Sequence, residues 1–302
     1  MTTVSIRPVR AMAAVALLAA VPVSQAAPVS QAAPVSQAAP VSQAAPVSQA
    51  APQTVEIFSA GSLREVWNEV AKEAVAALGI EVKSTFGGSG LMRERIEKGE
   101  TPDLFTSADL ASPRKLQSQG RTVVPVVAMA RNRMCIVSRR SAGVTAANLI
   151  DRMLAKDVRL KTGPPVADPG GDYAWTIFDR IEALRPGSGA ILEQKAQASM
   201  SLNAAPAKPN ESPYAALFKS GKVDMVITYC SHTANLAKDV PELTSLVVPP
   251  RLDPHPVYGL AVLSGKPAAL RLALFLLSEK GQAIIARAGL IPIAELSAEA
   301  SR

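Results

Sequence analysis

The stretch TVEIFSAGSLREVWNEVAKEAVAALG, residues 54–79, combines the sequence pattern of a β-strand with that of an α-helix. Residues 54–60 alternate apolar and polar side chains, which is the pattern of a β-strand. Gly79 provides a helix stop, and before it a set of apolar side chains falls on one helical face: Leu63, Val66, Val70, Ala74 and Ala77. Strand and helix patterns alternate again over residues 80–120, so we expect parallel strands covered by helices.

A second series of strand and helix patterns begins near residue 158. In the first series a short helix is predicted after the capping residue Ser112, with Pro113 at its first position. In the second series a helix is predicted over 172–184, followed by an irregular region, then a helix capped by Ser212 with Pro213 at its first position, and one long apolar helix over 267–288. The predicted fold is α/β with two lobes, each a mostly parallel sheet flanked by helices, and the chain crosses twice at a hinge. The predicted boundaries are 53–132 plus 255–296 for lobe 1, 133–254 for lobe 2, and 297–302 for a disordered tail.

The N-terminal segment has the pattern of a secretory signal peptide. Arg7 and Arg10 precede an apolar run over 11–21 and a small-residue cleavage site, so residues 1–26 are predicted to be removed on export to the periplasm. The hexapeptide VSQAAP then repeats without variation, and residues 27–52 are predicted to be an extended linker.

Charge and cysteine content narrow the function classes. The formal net charge of +7 is dispersed, without the basic run that a nucleic-acid or membrane surface would need, so a small anion is the expected partner. Cys135 and Cys230 each lie in an apolar strand-like stretch and form either a disulfide or two buried thiols. The two histidines and two cysteines have no metal-ligand spacing.

Small and hydroxyl residues recur where predicted strands give way to helices: Ser62, Ser89, Gly170, Gly171, Ser212 and Tyr229. Ligands of open α/β sheets bind beyond the carboxyl ends of the strands, and helix starts offer free N–H groups and partial positive charge. We therefore expect an anion site there. Each position also has a purely structural interpretation: Ser62 with Glu65 is a capping box, GGSG (87–90) a turn, and Tyr229 a core residue.

An enzyme is the weaker interpretation. The stretch GGSGL is not the G-x-S-x-G of a hydrolase, because Leu91 stands where the closing glycine would be. His232 and His255 are the candidate bases, and neither lies in a triad motif. The glycine stretch also lacks the lysine of a P-loop. A hydrolase with Ser89 as nucleophile, and an interaction protein that merely keeps the fold, remain as alternatives.

Five motifs resemble the periplasmic molybdate-binding proteins of ABC importers: VEIFSAGSL, FGGSG, TPDLFTSAD, VDMVITYCS and LFLLSEKGQAIIARAGL, within residues 55–293. The resemblance implies a type II binding protein, monomeric and without a cofactor, that closes on molybdate or tungstate and delivers it to an inner-membrane permease. It assigns hydroxyl ligands to Ser62, Ser89 and Tyr229, and backbone N–H ligands to Gly170 or Gly171 and near Ser212.

Two loops depart from the family pattern and bring carboxylates near the predicted site. Asp172 follows the double glycine, and Glu211 precedes Ser212. A carboxylate facing a dianion in a dry site is costly, so we expect both side chains to point outward. The alternative is that one of them joins a metal's coordination shell or selects a different anion, such as sulfate, phosphate or a carboxylate.

Overall fold

The computed structural model describes residues 53–202 and 212–293. The predicted signal peptide, the VSQAAP linker, the C-terminal tail and Glu211 lie outside the described residues. Within the described ranges, no helix combines the length and the hydropathy that a membrane span requires.

Strands and helices alternate along most of the described chain. The strands are β1 Gln53–Ala60, β2 Ile80–Gly87, β3 Leu104–Ser107, β4 Val127–Arg131, β5 Met134–Arg139, β6 Leu160–Lys161, β7 Met225–Tyr229, β8 Leu243–Val247, β9 Val257–Val262 and β10 Ile291–Pro292. The α-helices are α1 Arg64–Leu78, α2 Ser89–Glu97, α3 Ala111–Ser118, α4 Leu149–Leu154, α5 Pro169–Leu184, α6 Ser188–Ala198, α7 Pro213–Lys219, α8 Thr233–Asp239, α9 Pro267–Leu277 and α10 Glu279–Arg287.

Two sheets flanked by helices carry the fold, which confirms the predicted class. The first has the order β10-β4-β9-β3-β1-β2, and the second has the order β6-β7-β5-β8. The chain passes from the first sheet to the second between β4 and β5, and returns between β8 and β9.

The strand pairing is mixed, not mostly parallel as predicted. In the first sheet β1 is parallel to β2 and β3, whereas β9 is antiparallel to β3 and β4. In the second sheet only the β6–β7 pair is parallel, and β5 is antiparallel to both of its neighbours. The crossing strands explain the difference, because β4, β5, β8 and β9 connect the two sheets directly and not through the helical crossovers that make neighbours parallel.

Three local predictions need correction. The predicted helix over 267–288 is two helices, because Ser278 has an extended backbone and its hydroxyl caps α10 by accepting the Gly281 N–H at 3.3 Å. Helix α6 occupies a region that the sequence pattern left irregular. Helix α3 begins one residue before Ser112, and the carboxylate of Asp109 accepts the Ser112 N–H at 2.7 Å.

A disulfide settles the cysteine alternative. Cys135 at the start of β5 and Cys230 just after β7 are joined by an S–S bond of 2.08 Å. The bond fixes the end of β7, where Tyr229 lies, to the strand that leaves the first crossing.

Candidate functional site

A series of contacts through intermediate residues connects three of the predicted residues. The Tyr258 hydroxyl donates to Ser62 Oγ at 3.1 Å, and the Tyr258 ring lies 5.7 Å from the Tyr229 ring. Tyr229 in turn lies 6.3 Å from the ring of Tyr173. We call the hydroxyls of Ser62, Ser89 and Tyr229 the hydroxyl cluster.

The backbone of Ala108 connects Ser89 to the same group. Ala108 accepts a hydrogen bond from the Tyr173 hydroxyl on its carbonyl oxygen at 3.2 Å, and its N–H donates to Ser89 Oγ at 3.0 Å. Because Tyr173 belongs to α5 and Ala108 follows β3, this contact also links the helices of the second sheet to the first sheet.

Ser62 does not form the capping box that the sequence suggested. Residues 61–63 form a short 3-10 helix, and Leu63 occupies the cap position of α1 without a side-chain hydrogen bond. The Glu65 carboxylate instead accepts a hydrogen bond from Asn235 of α8. Ser62 is therefore free of a capping role, and its oxygen accepts a hydrogen bond from Tyr258.

Ser89 is the first residue of α2 and is fully buried. The flanking glycines have a structural reason, because the backbone of the 163–168 loop lies against them. A Cβ on Gly88 would come within 2.2 Å of the Ala167 carbonyl oxygen, and one on Gly90 within 1.9 Å of the Val166 carbonyl oxygen. The stretch 87–90 is thus a packing surface for the opposite loop, beyond the simple turn that was the alternative.

Tyr229 ends β7 with only 4% of its surface exposed, and within the described residues its hydroxyl makes no hydrogen bond of ordinary geometry, although the Tyr258 hydroxyl lies near it. The rings of Tyr173, Tyr258 and His232 surround it edge to face. Burial raises the pKa of Tyr229 well above its ordinary value, so the hydroxyl keeps its proton. A buried hydroxyl without a partner is costly, and it is available to a ligand.

The two serines also have protons to donate. Within the described residues each serine oxygen accepts one hydrogen bond, Ser62 from Tyr258 and Ser89 from Ala108, and neither donates one. A hydroxyl has one proton and two lone pairs, so both serines still have a proton to donate. The hydroxyl cluster therefore holds three protons that are available to an acceptor.

Gly170 and Gly171 are not the open amides that we predicted. Helix α5 begins at Pro169, the Gly170 N–H donates to Asp168 Oδ1 at 3.0 Å, and the Gly171 N–H donates to the Asp168 carbonyl at 2.8 Å. Gly171 is small for another reason, since a Cβ there would lie 2.5 Å from the Pro164 carbonyl carbon. Gly170 does lie beside the site, because its Cβ would be 3.5 Å from the Tyr229 ring.

Asp168 is a site neighbour that sequence reasoning missed, although an aspartate before a helix-starting proline is a recognisable cap signal. Burial raises the pKa of its carboxyl group, with smaller contributions from the carboxylates of Asp172 and Asp109. Asp172 itself is exposed and accepts the Val166 N–H at 2.8 Å, so it points outward as expected. In the described ranges no group of three metal-ligating side chains is found.

Ser212 is not brought into the hydroxyl cluster. It caps α7, as the sequence predicted, by accepting the Tyr214 N–H at 3.3 Å, and its own N–H donates to the Asp239 carboxylate at 3.2 Å. Both groups are therefore used within the helices of the second sheet. The backbone donor that the sequence placed here is engaged in the structure.

Comparison with known proteins gives the family and the fold. A family model for bacterial extracellular solute-binding proteins matches residues 55–291. An uncharacterized protein of Pasteurella multocida (strain Pm70) is 31% identical over 247 residues, covering 79% of this chain and 98% of that protein.

Two solved structures share the architecture. The periplasmic molybdate-binding protein of Azotobacter vinelandii has a TM-score of 0.64 at 17% identity, covering 80% of this chain and 100% of that chain. The sulfate-binding protein SubI of Mycobacterium tuberculosis H37Rv also has a TM-score of 0.64, at 15% identity, covering 80% of this chain and 88% of that chain. The two sheets are thus arranged as in type II periplasmic binding proteins.

Proposed function

The chain belongs to the bacterial extracellular solute-binding proteins, the substrate-binding components of ABC importers, and we propose that its ligand is molybdate or tungstate. The protein would act in the periplasm as a monomer without a cofactor, and would pass the oxyanion to an inner-membrane permease. The molybdate-binding protein of Azotobacter vinelandii, which has the same fold, supports this choice.

The main support for the proposal is that three hydroxyl groups have protons that are not donated to any acceptor. Ser62, Ser89 and Tyr229 come from different strand ends of the two sheets, and each has a proton without an acceptor in the described residues. A tetrahedral oxyanion needs several donors from different directions, and a hydrogen bond to an ionised acceptor is roughly twice as strong as a neutral one.

The same geometry argues against the hydrolase alternative. Ser89 Oγ accepts a hydrogen bond from a backbone N–H and has no histidine partner among the described residues. The Nδ1 atom of His232 pairs with Thr228 Oγ1 at 3.0 Å, and burial lowers the pKa of His232 to about 4. A nucleophilic serine needs a base within hydrogen-bond reach, and Ser89 lacks one. We propose that the protein binds its ligand without transforming it.

A second small anion is the alternative ligand, and the sulfate-binding relative with the same fold gives it weight. Sulfate and molybdate share charge and tetrahedral shape, so the size of the cavity closed around the ligand would distinguish them. Phosphate differs because it can carry a proton at neutral pH. That proton could form a hydrogen bond to a carboxylate such as Asp168.

The test is thermal unfolding of the mature protein with molybdate, tungstate, sulfate or phosphate at millimolar concentration. A ligand at about a thousand times its dissociation constant stabilises by roughly 4 kcal/mol, a shift of about 10 °C at this size. We expect that shift with molybdate and tungstate, and little with sulfate.

The matched variants are Ser89→Ala, which removes a cluster hydroxyl, and Ser118→Ala, which removes an exposed hydroxyl at the end of α3. Ser89→Ala should lose most of the ligand-induced shift, and Ser118→Ala should keep it. An equal shift in both variants would contradict the assignment of Ser89. A larger shift with sulfate or phosphate would replace the ligand and leave the site in place.

A further inference from the structure

A buried asparagine at the first crossing is connected to the site by hydrogen bonds. Asn132 lies between β4 and β5 with 3% of its surface exposed. Its amide Nδ2 donates to the Tyr258 hydroxyl at 3.2 Å and to Ser231 Oγ at 3.0 Å, and its Oδ1 accepts the Arg133 N–H at 2.9 Å. Each amide group of the side chain therefore has a defined partner.

The chemistry of the amide sets the direction of the hydrogen bonds that follow. An Nδ2 group donates and does not accept, so the Tyr258 oxygen must accept from Asn132. The Tyr258 proton is then directed to Ser62 Oγ, 3.1 Å away. Because Ser62 accepts this bond, its own proton remains available to another acceptor.

We propose that Asn132 and Tyr258 are positioning residues that fix the Ser62 hydroxyl proton on the ligand side of the site. The inference rests on the proposed oxyanion function and adds two residues to it. Asn132 serves both sides of the site, since its second amide proton holds Ser231, two residues after Tyr229. One side chain at the crossing thereby orients a donor of the first sheet and supports the strand end that bears a donor of the second.

The physical gain has two parts. A hydroxyl whose rotation is already fixed loses no further freedom when it binds, so the donor is preorganised. Hydrogen bonds that run in one direction also polarise each other, so the Ser62 proton becomes a better donor to an anion. Burial raises the pKa of Tyr258, which keeps the phenol protonated and able to donate.

The direct test is a double-mutant cycle on affinity for molybdate, measured by calorimetry with Ser62→Ala, Tyr258→Phe and the double variant. We expect Ser62→Ala to weaken binding about tenfold, the loss of one hydrogen bond to a charged group, and Tyr258→Phe to weaken it by no more than that. If Tyr258 acts through Ser62, the double variant should be no weaker than Ser62→Ala alone. Losses that multiply would overturn the proposal, because a merely structural role predicts independent effects. Ser118→Ala, which removes the exposed hydroxyl at the end of α3, is the control and should bind like the wild type.

A second variant reverses the hydrogen bonds without changing the shape. Asn132→Asp places a carboxylate where the amide stood, so Tyr258 would donate to residue 132 and draw the Ser62 proton inward. Molybdate affinity should fall further than in Asn132→Ala, and this extra loss should vanish in a Tyr258→Phe background. Wild-type affinity in Asn132→Asp would overturn the proposal.

A ligand-free measurement separates failure of this inference from failure of the proposed function. Denaturant unfolding of Asn132→Ala, Tyr258→Phe and the double variant should show coupling of about threefold or more in the unfolding equilibrium constant, as expected for one buried hydrogen bond. Absence of coupling would overturn the hydrogen-bond chain whether or not the protein binds molybdate. Coupling without molybdate binding would retain the chain and reject the ligand.

Discussion

The contact between the 163–168 loop and the start of α2 can be tested by adding a single methyl group. Gly90→Ala would place a Cβ 1.9 Å from the Val166 carbonyl oxygen, where ordinary contacts begin at 3.4 Å. The obstacle is backbone and not a flexible side-chain end, so the loop or the helix must move by about 1.5 Å. Ser89 is adjacent, and its hydroxyl would move with the helix.

The magnitude follows from the usual cost of overpacking, about 1–3 kcal/mol. If ligand binding requires this contact, affinity for molybdate should fall about 5- to 150-fold. Calorimetric titration gives the affinity, and ligand-free thermal unfolding shows how much of the cost falls on the fold itself. Gly265→Ala is the matched control, because a Cβ at that glycine would meet no atom within 4 Å.

The contact would be irrelevant to binding if Gly90→Ala bound molybdate as tightly as Gly265→Ala. A loss of stability equal in both variants, with affinity unchanged, would likewise show that binding does not require the contact. The informative result is a loss of affinity confined to Gly90→Ala.

Three further predictions concern the residues around the site. Burial raises the pKa of Asp168, so folding favours the protonated carboxyl group. This stabilisation is fully present below the ordinary aspartate pKa and is lost as the pH rises through the raised pKa. Asp168→Asn should therefore raise the melting temperature at pH 7.5 and not at pH 3, while Asp179→Asn on the exposed face of α5 should do neither. Burial lowers the pKa of His232 from an ordinary 6.5 to about 4, so the folded state disfavours the protonated imidazole. The free energy of unfolding should therefore fall by about 3 kcal/mol as the pH is lowered from 6.5 to 4. A free energy of unfolding that stays constant over this pH range would contradict the prediction. Replacing Cys135 and Cys230 by serine opens a link across 95 residues of sequence, which should cost about 4–5 kcal/mol of unfolding free energy; a loss below about 1 kcal/mol would reject a major stabilising role.

The sequence predicts the elements well where hydrophobic periodicity is strong. Helix α1 and strand β1 lie where residues 54–79 place them, because their apolar faces are buried against one core. The pairing direction of β9 was not predictable in this way, since it depends on where the chain crosses between the sheets. Local periodicity describes one element at a time and does not encode its neighbours.

The candidate site shows the same division. Residue type and position at strand ends led to the prediction of Ser62, Ser89 and Tyr229, and contacts through Tyr258, Tyr173 and Ala108 connect them in the structure. Tyr258 escaped notice because it lies 196 residues from its partner Ser62 in sequence and stands within a strand. A capping box for Ser62 was a sound local inference, but a tertiary hydrogen bond from Tyr258 uses the serine differently.

The double glycine shows a different limit. The sequence suggested that Gly170 and Gly171 expose amides to a ligand, but the adjacent Asp168 uses one of them and the turn of α5 uses the other. The Gly163–Pro165 backbone, not a ligand, explains why residue 171 has no side chain. A glycine in the sequence can indicate that another group comes close to the backbone, but the sequence does not show whether that group is a ligand or another part of the chain.

We propose that a bound oxyanion accepts a hydrogen bond from the buried hydroxyl of Tyr229, and unfolding measurements can test this contact. Denaturant unfolding of wild type and Tyr229→Phe is compared with and without molybdate. Without ligand, the variant should be at least as stable as the wild type, because it loses a buried hydroxyl that has no partner. With molybdate, the wild type should gain more stability than the variant by about 1.5–3 kcal/mol, the contribution of a hydrogen bond to a charged group. If the variant is less stable without ligand and gains as much stability from molybdate as the wild type, the Tyr229 hydroxyl does not bind the oxyanion.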